Sequence, residues 1–194
     1  MRRFINNQLN TAIQTFKRLD YSISSKLVEE CLSCVGNGGK IITTAIGKNA
    51  PICEKFVGTL NSLDISSHFL NSNTAFHGDL GIIKTNDLVI IMSKSGETGE
   101  SIDIAKILKK RKINCWLITC NKNCTITKHI HKSIILPIKH EGDKWDLIPN
   151  NSTLVFLIFL QSLALKLSHK LVINIDILKK NHPGGGIGKR LKKR

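Results

Sequence analysis

Acidic residues are scarce in this chain of 194 residues: 14 stand against 29 lysines and arginines, for a formal net charge of +15 with the seven histidines neutral. Aromatic residues are also few, at 5%, with one Tyr and two Trp. So few rings offer no stacking platform for single-stranded nucleic acid. Long apolar runs are missing. The longest, Leu154 to Leu160, is interrupted by Gln161 and Ser162 and is too short to span a bilayer. The first residues, MRRFINNQLN, hold two arginines but no apolar stretch and no small-residue cleavage site. They read as no signal peptide, which predicts a cytoplasmic protein. The phosphate-loop motif GxxxxGK followed by Ser or Thr does not occur, so nucleotide hydrolysis is not inferred.

Cysteine is present but unpaired by pattern. The six are Cys31, Cys34, Cys53, Cys115, Cys120 and Cys124. In a cytoplasmic protein they are expected to be reduced. Cys31 and Cys34 form a CxxC pair, yet no second CxxC and no histidine pair at finger spacing follows. They read as two buried thiols one helical turn apart, and no metal is expected.

What is there is a globular balance: 41% hydrophobic and 22% charged residues, enough for one well-buried domain. A basic surface attracts anions, whether nucleic acid, acidic lipid or phosphorylated metabolites. Basic clusters occur at KKRK (109–112) and KRLKKR (189–194). Lys, Ile and Asn are common throughout, however, and the charge reads as compositional drift rather than a dedicated nucleic-acid face. No specific nucleic acid and no membrane partner is expected.

Along the chain, Ile5, Leu9, Ala12, Ile13, Phe16 and Leu19 recur at spacings of three and four, which predicts a helix; a second covers 23–34 and ends at GNGG (36–39). KIITTAI (40–46), DLVIIMS (87–93), NCWLITC (114–120) and SIILPI (133–138) read as short buried strands, with another at 66–70. Helices are predicted at 51–61, 101–110, 126–129 and 152–167. Buried strands alternating with helices predict an α/β fold: one parallel sheet with helices on both faces.

Ligands of such sheets bind where strand ends meet helix starts. Three loops fit: GKNAP (47–51), SKSGETGES (93–101) and NNST (150–153). The last two add hydroxyls to free backbone N–H groups at a helix start, which together make an oxyanion cradle. Gly96 and Gly99 permit backbone that other residues resist. The plain alternative is helix capping by Ser95, Thr98 and Ser152. One cap explains one hydroxyl per helix, not Ser93, Ser95 and Thr98 together.

SKSGET resembles the SxSGxT signature of the sugar isomerase (SIS) domain, a phosphosugar-binding α/β fold of Rossmann-like or flavodoxin-like type. GKN after the first strand, HGDLG (77–81) and NHPGGGIGKRL (181–191) are similar to the arabinose 5-phosphate isomerases of that family, which feed synthesis of the lipopolysaccharide sugar 3-deoxy-D-manno-octulosonate. The resemblance runs from about Leu27 to Arg190. It implies a single SIS domain over 1–194, with a helical segment at 1–35 and an HPGG tail. It implies phosphate binding by Ser93, Ser95, Gly96 and Thr98, with Ser152 and Thr153 as a second hydroxyl pair. It implies that Lys48, Glu100, Glu141, His77 and His182 are the polar active-site residues. It also implies a homotetramer in which His182 reaches a neighbouring subunit's site. Asn49 stands where the family has Ser; it loses a hydroxyl but keeps a donor. EGDKWDLIPNNST (141–153) replaces a more apolar stretch. Most relatives carry a C-terminal pair of CBS modules; the sequence stops at Arg194, so regulation through such modules is expected to be missing.

Aldose–ketose isomerisation moves a proton between neighbouring carbons through an enediol. It needs a base, an acid at the carbonyl oxygen and a phosphate anchor, but no cofactor and no metal. His77 and His182 are the candidates for proton transfer, with Glu141 as a competing base. Lys48 would polarise the carbonyl or neutralise phosphate, and Glu100 would hold a sugar hydroxyl or orient Lys48. Each has an ordinary alternative: a first-turn acid for Glu100, a loop histidine for His77, a turn residue for His182. Two other functions keep the fold: an isomerase for another sugar phosphate, or a non-catalytic phosphosugar sensor. A sensor that regulates transcription would need an N-terminal DNA-binding domain, for which about 35 residues leave no room.

Overall fold

The computed structural model describes residues 1–192; the end of the KRLKKR cluster, Lys193 and Arg194, lies outside the described residues. Two N-terminal helices, α1 (Arg2–Lys17) and α2 (Tyr21–Gly36), precede the first strand, β1 (Ile41–Ala45). Asp20 starts α2 by accepting hydrogen bonds from the N–H groups of Ser22 and Ile23, satisfying donors the helix cannot use itself. Then follow α3 (Ala50–Ser62), β2 (Ser67–Asn71), β3 (Leu88–Met92), α4 (Gly99–Lys110), β4 (Asn114–Thr119), β5 (Ser133–Ile135) and α5 (Asn151–Lys170). Pro51 sits in the first turn of α3, where its missing N–H costs nothing.

The strands form one sheet in the order β2-β1-β3-β4-β5, and every pair is parallel. β1 and β3 are buried along their whole length, as the apolar runs predicted. Alternate side chains feed two cores. Ile41, Leu88, Ile90, Met92, Trp116 and Ile118 pack against α1, α2, α3 and α5. Ile42, Val89, Ile91 and Leu117 pack on the other face against Ile104, Ala105 and Leu108 of α4 and against Ile126. Helices thus cover both faces, as a parallel sheet with no wet side requires.

α5 is long and apolar enough, by length and composition alone, to cross a membrane. Its Val155, Phe156, Phe159, Leu160, Leu163 and Leu167 are buried against the sheet and the helices beside it, which is how a core helix behaves. Cys31 and Cys34 are buried thiols of that core, and burial pushes Cys31 above its ordinary range.

Several expectations shift. The strand predicted at 133–138 stops at Ile135, because Pro137 has no N–H to give a ladder. The helix predicted at 126–129 is a 3-10 turn, Thr125–Lys128. The tail, for which no helix was predicted, forms two short helices, α6 (Ile175–Asn181) and α7 (Gly185–Leu191), on either side of His182–Gly184. Gly188 lies so close under His182 that an added methyl would stand 2.5 Å from the His182 carbonyl oxygen. That close approach requires glycine at 188.

Candidate active site

The strand order reverses direction between β1 and β3: the chain moves outward to β2 on one side and to β4 and β5 on the other. A crevice opens between the carboxyl ends of two such strands. A pocket of about 140 Å³ lies there, with Ile46 and Met92 as its apolar floor. Ser93, Ser95, Thr98 and Ser101 bring hydroxyls, Asn49 an amide and Lys94 an ammonium. A larger groove of about 600 Å³ is lined by Phe16, Val28, Leu163 and other apolar residues of α1, α2 and α5. Ser24, Ser25, Ser162, Lys166 and Lys170 add polar groups to it, but it is built from helix faces and takes no residue from the strand-end loops.

The loop Ser93–Thr98 is held from behind. The Lys94 carbonyl accepts from Cys120 N (3.0 Å) and Thr119 Oγ1 (3.0 Å), the Ser95 carbonyl from Asn121 Nδ2 (3.3 Å), and the Gly96 carbonyl from Ile126 N (3.3 Å). Glu97 clamps the same neighbour: its carboxylate accepts from Thr125 N (2.8 Å) and Thr125 Oγ1 (2.6 Å), and these bonds hold its pKa below the ordinary value. With the carbonyls bonded backwards, the pocket side is left to donors. Ser93 Oγ accepts from Gly96 N and Ser95 Oγ from Glu97 N, both at 3.1 Å. Each hydroxyl has spent an acceptor position, and its proton remains to give. Gly96 takes a left-handed conformation (φ +68°); Gly99 does not, and simply opens α4, which corrects the expectation for it.

Thr98 occupies the N-cap position of α4, yet its side chain makes no capping hydrogen bond. Capping therefore does not explain this hydroxyl. Ser101, 2% exposed and facing the pocket, adds another. Asn49 Oδ1 is buried without a hydrogen-bond partner, an acceptor for which a sugar hydroxyl is the natural donor. Lys48 and Glu100 are exposed, in the turn after β1 and the first turn of α4. His77 is exposed in the 3-10 turn Ala75–His77, beyond the carboxyl end of β2.

Glu141, Ser152 and Thr153 are placed otherwise than expected. Glu141 is fully buried. Its Oε1 receives Lys94 Nζ (2.7 Å) and Ser152 Oγ (2.6 Å); its Oε2 receives Ser152 N (2.9 Å) and Asn150 N (3.0 Å). Burial pushes the carboxyl up, but Lys94, Ser152 and Asn150 outweigh it and hold it below the ordinary carboxylate value. A carboxylate with both oxygens occupied and no exposed surface has no face for a substrate proton, so Glu141 is not the competing base in this arrangement. The start of α5 is filled by this internal anion. Ser152 spends its hydroxyl on it, and Thr153 donates to the carbonyls of Asn150 (2.8 Å) and Pro149 (3.2 Å). The second hydroxyl pair is therefore structural.

His182 ends α6, with its Nδ1 2.9 Å from the Leu178 carbonyl. Asn181 Nδ2 binds the carbonyls of Asn61 and Ser62. Those residues end α3, at the edge of the sheet where β2 begins. His182 is thus at the opposite end from its own chain's pocket. The sequence reading missed Lys94 and Ser101 as pocket residues. Both lay inside the quoted SKSGETGES stretch, but the signature drew attention to its fixed positions.

Fold and pocket define an α/β domain with a hydroxyl-lined crevice at the carboxyl ends of its strands. The SIS domain family model matches residues 37–166, and the chain belongs to that family. It is 32% identical over 182 residues to a probable arabinose 5-phosphate isomerase of Haemophilus influenzae, covering 94% of this chain and 53% of that one. It is also 32% identical over 175 residues to the arabinose 5-phosphate isomerase KpsF of Escherichia coli, covering 90% and 53%. The chain spans about half the length of the curated relatives it matches. Among solved structures, a protein of E. coli CFT073 in complex with arabinose 5-phosphate superposes with a TM-score of 0.87 at 28% identity, over 94% of this chain and 95% of that one.

Proposed function

We propose that this chain is an aldose–ketose isomerase that interconverts D-arabinose 5-phosphate and D-ribulose 5-phosphate through an enediol, in the route to 3-deoxy-D-manno-octulosonate and lipopolysaccharide. The observation that carries the proposal is the hydroxyl-lined pocket at the β1/β3 crevice, where Thr98 heads a helix without capping it. Relatives named for this activity over nearly the whole of this chain support the substrate.

In this reading the phosphate sits on Ser93, Ser95 and Thr98, against the positive end of α4. Asn49 meets a sugar hydroxyl. Lys48 polarises the carbonyl oxygen, and Glu100 orients Lys48 or holds another hydroxyl. His77 and His182 move protons between C2, C1 and the oxygens. The catalytic unit is one SIS domain over 1–194, assembled as a homotetramer with shared sites. Two features support assembly. His182 needs a neighbour to be useful, and α1 presents an apolar stripe of Phe4, Ile5, Leu9 and Ile13 that is about half exposed or more. The cytoplasm suits an enzyme of phosphorylated sugars whose six cysteines are all free.

The test is turnover. Arabinose 5-phosphate is supplied beside a panel of other sugar phosphates, with ketose measured, and the reaction is repeated in deuterated water. The expected result is ketose from arabinose 5-phosphate with deuterium at its C1. Tight binding of several sugar phosphates with turnover of none makes the chain a sensor and overturns the proposal.

A further inference from the structure

We propose that Lys94 is the cation that meets the substrate's phosphate, and that Glu141 is a positioning residue that holds it at the pocket. The proposal rests on reading the pocket as a phosphate site, though not on which sugar the phosphate carries.

The charge balance motivates it. A phosphate monoester carries roughly −1.5 to −2 at neutral pH. Hydroxyls and backbone N–H groups donate hydrogen bonds but bring no net charge. Among the described residues lining the pocket, Lys94 is the charged one. It sits between Ser93 and Ser95, so its backbone belongs to the phosphate loop itself.

The geometry fixes where its ammonium can be. Its carbonyl is pinned by Cys120 N and Thr119 Oγ1. Its Nζ is 2.7 Å from Glu141 Oε1. The lysine stem is therefore strung between two anchored ends. Glu141 cannot follow the ammonium, because the Ser152 hydroxyl and the N–H groups of Ser152 and Asn150 hold the carboxylate. An ammonium has three N–H donors and this pair uses one, which leaves two for a ligand. The Lys94 side chain is 38% exposed where that of Glu141 is 0%, so the open side of the pair is the lysine's. A cation held in place before the ligand arrives loses little freedom on binding. The ordinary alternative is that Lys94 only neutralises a buried carboxylate.

The two ideas part once Glu141 is neutral. Glu141→Gln keeps one acceptor oxygen for the N–H groups of Asn150 and Ser152 and turns the other position into a donor to the Ser152 hydroxyl, so Lys94→Met in that background strands no buried charge. Binding of inorganic phosphate and of arabinose 5-phosphate is measured by calorimetry on the full chain, for the unmodified chain, Glu141→Gln and Glu141→Gln/Lys94→Met, with thermal melts alongside. The expected result is weaker binding in Glu141→Gln than in the unmodified chain, because the ammonium is no longer held, and a further loss of at least about tenfold for both ligands in the double variant at an equal melting temperature; equal binding by Glu141→Gln and the unmodified chain removes the positioning role from Glu141. Lys94→Arg in the unmodified chain, which keeps the charge, is expected to retain binding. If the methionine variant does not fold, Lys94→Gln in the same background gives the same comparison. A loss under about threefold leaves Lys94 as a neutraliser and overturns the proposal. So does failure of the unmodified chain to bind either ligand. Absence of turnover with Lys94-dependent phosphate binding instead overturns the isomerase reading and leaves this one standing.

Discussion

Gly96 packs directly on Cys124: a methyl group on the glycine would stand 2.1 Å from Cys124 Sγ and 2.5 Å from its Cβ. The contact joins the pocket loop to the segment that braces it. Two costs therefore fall on Gly96→Ala. The left-handed backbone costs an L-residue about 1–2 kcal/mol, and the overlap forces the two loops apart. We expect thermal melts to show Gly96→Ala lowered by at least several degrees, with phosphosugar binding lost. Cys124→Gly removes the colliding atoms but leaves the backbone strain. It should restore only part of the melting temperature in the double variant; full restoration would show that backbone strain at Gly96 is negligible.

Thr98 separates binding from capping. A working cap hydroxyl contributes about 1 kcal/mol to stability, and this one makes no cap bond. Thr98→Val should leave the melting temperature nearly unchanged. Loss of a hydrogen bond to a charged ligand should weaken phosphosugar binding by about 1.5–3 kcal/mol. A fall in melting temperature with binding intact would assign the hydroxyl to the helix.

The contrast between Thr98 and Ser152 marks how far the sequence could be read. Strands were legible because β1 and β3 are buried on both faces and so form short, β-branched or apolar runs. The phosphate loop was legible because hydroxyls and glycine crowd one strand end. Ser152 stands in the same local setting, a hydroxyl at a helix start, and nothing nearby distinguishes it from Thr98. What decides between them is Glu141, which comes from another segment, fills the start of α5 and is neutralised by Lys94 from a third. Such a network has no periodicity and no fixed spacing. The helix Gly185–Leu191 was hidden because glycine, the residue that crowds it, disfavours a helix; the glycine at 188 is instead required by the His182 carbonyl packed against it.

Glu141 should also be visible in the acid limb of stability. Its carboxyl is held below the ordinary value of 4.5 in the folded chain. The folded state therefore favours the ionised form, and the stabilisation is complete above about 4.5 and lost as pH falls through the lower folded value. Other carboxyls, such as Glu97 and Asp20, are also held below their ordinary values and contribute to the acid limb. The informative quantity is thus the difference between the unmodified chain and Glu141→Gln, from denaturant unfolding at pH 7 and in steps below 4.5. The gap in favour of the unmodified chain should narrow as pH falls. A gap independent of pH would mean that the charge of Glu141 contributes nothing to folding.

His182 tests the shared site. A carbonyl oxygen only accepts, so the 2.9 Å contact to Leu178 makes Nδ1 the donor, and in the neutral ring Nε2 is then the nitrogen with the lone pair. The bond fixes only which nitrogen donates to Leu178, while α6 is fastened to the end of α3 by Asn181 and by the 3.9 Å pairing of Lys180 with Asp64. That position is remote from its own pocket. If His182 serves a neighbour, His182→Ala should lower turnover by about 10²–10⁴-fold while phosphosugar still raises the melting temperature, because the pocket of each chain is intact. Ser95→Ala/Thr98→Ala should fail for the opposite reason, with His182 present and the phosphate unheld. Neither variant alone turns over well. Subunit exchange between equal amounts of the two brings an intact pocket and an intact His182 together in about a quarter of sites, given random assembly and one donor chain per site. Activity should then recover to about that fraction of the unmodified enzyme. No recovery, with exchange confirmed by mass spectrometry of mixed oligomers, would confine catalysis to a single chain and remove His182 from it.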